Sequence, residues 1–156
     1  MKLRDLLENV QVLEMTADPE LDIRDVAYDS RKVTTGALFV AITGFASDGN
    51  RFIPMAMEKG AAAVLTSRKD LPYPAIVVED PRIALGQIAA ALRCRLGMKV
   101  VGVTGSVGKS TTKEMIASVL EGDFIVSKTP ANFNNDLGLP MAILAMQEDT
   151  QVAVLE

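Results

Sequence analysis

Residues Val100-Val101-Gly102-Val103-Thr104-Gly105-Ser106-Val107-Gly108-Lys109-Ser110-Thr111-Thr112 pass from an apolar run through a glycine-rich turn into a helix start that carries lysine and hydroxyls. Few architectures accommodate that order. The apolar run reads as a buried strand, and the helix behind it has to return over the sheet as a crossover. The first amides of such a helix lack intrahelical partners and the helix dipole adds partial positive charge, so the turn reads as a cradle for phosphate. Lys109 can reach β- and γ-phosphates, and Ser110 Oγ is placed to join the shell of a phosphate-bound Mg²⁺. The strict pattern G-x-x-x-x-G-K-[ST] would need glycine at 103, where the chain has Val103, so the match is G-x-x-G-K-S with Gly102 upstream. The competing reading is a glycine turn that only closes a strand–helix contact, which would not itself call for Lys-Ser-Thr-Thr.

Composition narrows what that cradle can serve. The 156 residues suit one domain or two small ones, and 49% apolar with 4% aromatic and 23% charged residues describes a globular α/β chain able to bury a core. A net charge of −4 without a long basic run excludes the electrostatic footprint of a nucleic-acid binder. Histidine is absent, so imidazole general bases and histidine metal ligands are unavailable, and acid–base or metal work falls to carboxylates and hydroxyls. The single Cys94 lies in an Ala/Leu-rich helical stretch and is expected to be a buried structural thiol. No apolar run reaches about 18 residues and the N-terminus lacks a signal-peptide core, which predicts a soluble cytoplasmic protein without membrane insertion.

Periodicity divides the chain further. Leu3, Leu6, Leu7 and Val10 predict a short opening helix, followed by a polar bend at Asp18-Pro19-Glu20. Strands are predicted at 26–28, 37–41, 61–66 and 75–78, with a loop at 44–50 and a helix over 51–59 that Gly60 ends. Asp80-Pro81 reads as a helix cap with proline in the first turn, opening a helix to Leu96, whose apolar positions include Ile83, Ile88 and Leu92 and which Gly97 stops. We place a domain boundary there, giving 1–96 and 97–156. The second part alternates strand 99–103, phosphate turn, helix 110–121, strand 124–127, helix 139–146 and strand 152–155, which argues for a parallel sheet. About 60 residues make a small domain. The last strand is expected to leave an unprotected edge that promotes self-association, as in a piece of a longer protein.

Several side chains carry candidate chemistry, each with a plainer alternative. Glu156 ends an apolar strand at the carboxyl end of a parallel sheet, where ligands of such sheets gather, and could complete a Mg²⁺ shell with Ser110. It could equally be a solvated acid. Asn132, Asn134 and Asn135 can donate to phosphate oxygens or substrate without adding charge, or can serve turns and caps. Ser30 and Arg31 after a strand, and Asp48-Gly49-Asn50 in a loop, offer hydroxyl, guanidinium and backbone donors, or turn, cap and surface roles.

Asp29-Ser30-Arg31, 36–41, Asp48-Gly49-Asn50-Arg51-Phe52-Ile53 and Gly60-Ala61-Ala62-Ala63-Val64, set beside the phosphate turn, resemble the Mur ligases, ATP-dependent amide-forming enzymes of peptidoglycan synthesis. Residues 104–115 and 129–140 look most like the MurF-type members, which add D-Ala-D-Ala to UDP-N-acetylmuramoyl-tripeptide. The resemblance covers nearly the whole chain. It implies an N-terminal α/β domain for the UDP-linked substrate, followed by the first part of a P-loop, parallel-sheet domain for ATP, with a last domain and the family's carbamylated lysine and metal-binding histidine beyond residue 156. It further implies that Thr104, Gly105, Ser106, Val107, Gly108, Lys109, Ser110 and Thr111 hold ATP, and that Lys109 and Glu156 serve catalysis. Ser110 and Glu156 would hold Mg²⁺, Ser30, Arg31, Asp48, Gly49 and Asn50 the UDP group, and at least one of Asn134 and Asn135 a ligand. The family usually has histidine where this chain has Asn50. The parent ligase is expected to be monomeric, and its N-terminal piece, alone, is expected not to turn over. Rival readings are a non-catalytic UDP-substrate binding module and a sibling ligase that adds a single amino acid.

Overall fold

The computed structural model describes residues 1–44, 48–130 and 133–156. The chain resolves into two compact units, Met1–Ile88 and Ala89–Glu156. Among the described residues no helix is long and apolar enough to cross a membrane.

In the first unit, helix α1 (Leu3–Leu6) buries Leu3, Leu6 and the following Leu7, as the spacing of those leucines predicts. Strands β1 (Val12–Met15), β2 (Asp25–Ala27), β3 (Ala37–Val40), β4 (Ala63–Thr66) and β5 (Ala75–Val78) form one sheet in the order β1-β5-β4-β3-β2. β2 to β5 are parallel, and β1 runs antiparallel to β5, with Val12 opposite Val78. β3, β4 and β5 are buried at every position, which is why they read as continuous apolar runs and not as alternation. One face packs Phe39, Ala41 and Val64 against Ile53 and Ala56 of helix α2 (Ile53–Glu58). Helix α3 (Pro81–Leu96) fully buries Leu85 and Ile88. Asp80 opens α3 by accepting from the amide of Arg82 at 2.8 Å, but Ile83 stays 61% exposed, so it is not one of the helix's packing positions.

Two departures have physical causes. β1 is absent from the sequence-based expectation, because three of its four positions are exposed and an edge strand leaves no period-2 signal. Of the loop predicted at 44–50, residues 45–47 lie outside the described residues, and Gly49 and Asn50 open a 3₁₀ segment, Gly49–Phe52, before α2.

In the second unit β6 (Lys99–Gly102), β7 (Val126–Lys128) and β8 (Val152–Leu155) form a parallel sheet in the order β6-β8-β7. The last strand is therefore the centre of its sheet, and its expected role as an unprotected edge is wrong: parallel crossovers return it between the two earlier strands, and β6 and β7 are the outer ones. Helix α4 (Lys109–Leu120) buries Ala117 and contacts β7 and β8. Helix α5 (Gly138–Leu144) places Ile143 with Ala153 and Leu155 of β8 and with Ala89 and Met98 in a second core. Cys94 is exposed, which corrects the expectation of a buried thiol: it falls on the solvent side of α3.

Gly49 illustrates how tightly the first unit is closed. A Cβ there would stand 2.5 Å from the Ile42 carbonyl oxygen and 2.7 Å from its nitrogen, while the Gly49 amide donates to that same carbonyl at 3.0 Å. Gly49→Ala is expected to cost on the order of 1–3 kcal/mol by overpacking, as measured by chemical denaturation.

Candidate functional site

The phosphate turn is built by two glycines in conformations that side chains resist. Gly105 has φ +148° and Gly108, at the N-cap of α4, has φ +80°. Backbone hydrogen bonds hold the two ends of the turn, the Val103 amide on Leu155 O at 2.7 Å and the Thr112 amide on Gly108 O at 2.9 Å. Between them Thr104, Gly105, Ser106, Val107 and Gly108 are exposed, and the amides of Gly105 to Thr111 meet no acceptor among the described residues. Those donors are what an anion needs. Lys109 folds back so that Nζ donates to Gly105 O at 2.9 Å, poised over the same turn.

Because β8 pairs with β6 through Gly102 opposite Leu155, Glu156 emerges beside the start of α4. Ser110 Oγ donates to Glu156 Oε2 at 2.9 Å across 46 residues of sequence, and Asn134 Nδ2 donates to Oε1 at 3.3 Å. The Glu156 side chain keeps only 7% of its surface exposed, so it is not a solvated acid. The Ser110 hydrogen bond, opposed by partial desolvation and helped by Asn134, Lys113 and Lys109, holds its carboxyl below the usual glutamate range. The group is thus an anion at neutral pH.

Asn135 is spent differently. Its Oδ1 accepts from the amides of Gly138 at 2.6 Å and Leu137 at 3.2 Å and so caps α5, leaving Asn134 as the amide that faces Glu156. Asn132 lies outside the described residues.

Two participants escape sequence reasoning. Lys113 is 1% exposed, donates to Thr129 O at 2.7 Å, and lies 3.7 Å from Glu156 Oε2 and 3.6 Å from Glu114 Oε1. Thr129, also 1% exposed, accepts the Glu156 amide on Oγ1 at 2.9 Å. A signal for Lys113 is present in the sequence: it follows Lys109 by one helical turn and shares its face.

The donor set suits Mg²⁺. Ser110 Oγ and Glu156 Oε2, 2.9 Å apart, are two oxygen donors close enough to share one cation. One carboxylate and one hydroxyl, with phosphate and water completing the shell, is the manner of Mg²⁺; among the described residues there is no cluster of three or more His, Cys, Asp or Glu.

In the first unit the other selected residues form two local networks. Asp29 accepts the Arg31 amide at 3.0 Å and grips its guanidinium at 2.9 and 2.8 Å, while Ser30 is buried with Oγ 3.4 Å from Met55 Sδ. Asp48 accepts the Asn50 amide at 2.9 Å, its Nδ2 at 2.8 Å and the Thr43 hydroxyl at 3.2 Å. Asn50 Oδ1 in turn accepts from the buried Thr66 at 2.6 Å. The Asn50 hydrogen bonds lower the Asp48 carboxyl. A groove of about 420 Å³ bordered by Leu13, Val78, Asp80, Ile83 and Gln87 is lined by none of the selected residues.

A parallel sheet feeding a glycine-bounded amide turn, with lysine, hydroxyl and carboxylate converging beyond it, defines an α/β protein of the P-loop type. Residues 22–93 match the Mur ligase family catalytic domain and residues 103–156 the Mur ligase middle domain, and the chain belongs to the Mur ligase family. It is 46% identical over 148 residues to a UDP-N-acetylmuramoyl-tripeptide--D-alanyl-D-alanine ligase of Bacillus subtilis, covering 90% of this chain and 32% of that protein. Crystal structure I of MurF from Acinetobacter baumannii superposes with TM-score 0.92 at 34% identity, covering 99% of this chain and 35% of that one. MurF ligase from Thermotoga maritima in complex with ADP gives 0.80 at 37% identity, over 85% and 31%. The chain spans about a third of the length of these relatives.

The Arg31 fork lowers the Asp29 carboxyl from 3.8 to about 2. Its stabilising contribution is complete above the ordinary value and is lost as pH falls toward the lowered one. A carboxyl NMR titration is expected to place the Asp29 midpoint near 2, and Arg31→Ala to return it toward 3.8.

Proposed function

We propose that this chain supplies the UDP-substrate and ATP-phosphate sites of a cytoplasmic ligase that joins D-Ala-D-Ala to UDP-N-acetylmuramoyl-tripeptide. The observation that carries this reading is the meeting of Ser110, Glu156 and Lys109 at a turn of outward amides. In that reading residues 1–96 hold the UDP-linked substrate and residues 97–156 the nucleotide phosphates, with the division where α3 stops at Gly97.

The chemistry follows from what the residues can do. The γ-phosphoryl group passes to the substrate carboxylate, ADP leaves, the amine attacks the acyl carbon and loses a proton, and phosphate departs as the amide forms. Such a transfer needs positioning and charge neutralisation more than a covalent nucleophile. Amides 105–111 and the Lys109 ammonium bind and orient the phosphate chain, and swinging Nζ from Gly105 O to a phosphate requires only side-chain rotation. Ser110 and Glu156 would hold Mg²⁺, which supplies electrostatic shielding of the β- and γ-oxygens. Asn134 fixes the second carboxylate oxygen and keeps Oε2 turned toward Ser110. In the first unit Ser30, Arg31, Asp48, Gly49 and Asn50 are the proposed UDP contacts; Arg31 and Asn50 would exchange their hydrogen bonds to Asp29 and Asp48 for the ligand, and the buried Ser30 and Gly49 would act through the turns they close.

Calorimetry of the purified chain with ADP and Mg²⁺ tests this. Binding is expected, and Lys109→Ala should weaken it by about 10-fold or more through loss of a charge-assisted contact. Binding of a UDP-sugar with no response to ADP would replace this reading with a UDP-binding module.

A further inference from the structure

We propose that Lys113 is a positioning residue of the phosphate site, a built-in cation that sets the Glu156 carboxylate where it and Ser110 can share one metal ion. This rests on the ligase reading of the same site. The ammonium is anchored on Thr129 O at 2.7 Å just past β7, and from there it lies 3.7 Å from Glu156 Oε2, the oxygen that also takes the Ser110 hydroxyl. Thr129 completes a triangle. Its hydroxyl accepts the Glu156 amide at 2.9 Å and its own amide donates to Val154 O at 3.0 Å, so side chain and backbone of Glu156 are referred to the same residue.

A lysine 1% exposed is expensive to bury unless paired and hydrogen-bonded, and this one has both an anion and a carbonyl. Packing alone gives no reason for a charge at this place, since an apolar side chain of similar length would fill it. Glu114 is equally near, its Oε1 3.6 Å from Lys113, but its side chain is 53% exposed and its other oxygen is held by Lys128, whereas the Glu156 side chain is buried beside the ammonium. Lys109 and Lys113 therefore divide their work by burial. The half-buried Lys109, one turn nearer the N-terminus, is available to a ligand, while the buried Lys113 acts only through Glu156.

ADP affinity measured by calorimetry with and without Mg²⁺, on the unaltered chain and on Lys113→Met, tests the assignment. Loss of the lysine is expected to leave metal-free ADP affinity within about 2-fold and to reduce the tightening by Mg²⁺ by about 10–100-fold, the usual cost of removing a group that orients a metal ligand. Lys113→Arg, which keeps a cation, should restore part of that tightening. If the methionine variant does not fold, Lys113→Gln removes the charge while keeping a donor for Thr129 O, and the same loss is expected. Equal weakening with and without Mg²⁺, or unchanged Mg²⁺ tightening, would make Lys113 a purely structural lysine and overturn the proposal while leaving the ligase reading in place. An unaltered chain that binds no ADP would overturn both.

Discussion

The insertion of β8 between β6 and β7 is the constraint on which the phosphate site depends. Only a central strand has partners on both sides, and here each partner delivers one element: β6 runs on into the amide turn, and β7 leads directly into Thr129. Glu156, the residue that follows the middle strand, then has a helix start on one side and a threonine hydroxyl on the other. The pairing of Leu155 with Gly102 brings Glu156 to the site, where Thr129 takes its amide and Ser110, Asn134 and Lys113 converge on its carboxylate. This is the ordinary logic of parallel sheets, whose carboxyl ends gather loops and helix N-termini at one edge.

The first unit solves a different problem, that of holding short loops between buried strands. Both of its polar clusters begin with an aspartate that accepts an amide two residues on, Arg31 for Asp29 and Asn50 for Asp48. Each aspartate then recruits the side chain of the same residue. The outcome is a pair of small, internally satisfied turns in which the guanidinium and the amide are aimed by their own neighbours. The second cluster reaches deeper, because Asn50 passes the connection to Thr66 in the middle of the buried sheet.

Much of this is legible in the residues. The apolar runs of β3, β4 and β5 announce a sheet covered on both faces, the Asp80-Pro81 pair announces the start of α3, and the glycine, lysine and serine order announces the amide turn. β1 is not legible, because an exposed edge strand has neither alternation nor continuous apolarity. The place of β8 is hidden for a related reason: strand order is a property of long-range pairing, and local pattern carries no trace of it. Lys113 escapes notice because lysines on helices are mostly solvated, and only the fold brings Thr129 and Glu156 over it. The choice between cap and ligand roles for Asn134 and Asn135 turns on geometry too fine for sequence, a shift of one residue along the same loop.

That loop, like the one at Gly49, has little tolerance for added volume. A Cβ on Gly138 would stand 2.6 Å from the Phe133 Cα, and the same glycine gives its amide to Asn135. The chain between Phe133 and α5 thus folds back closely on itself, with the bend at Asn135 and Asn134 just before it. Lengthening or shortening this hairpin-like return by a single residue would slide the amide away from the carboxylate it touches. The spacing between Asn134 and Gly138 is accordingly a ruler.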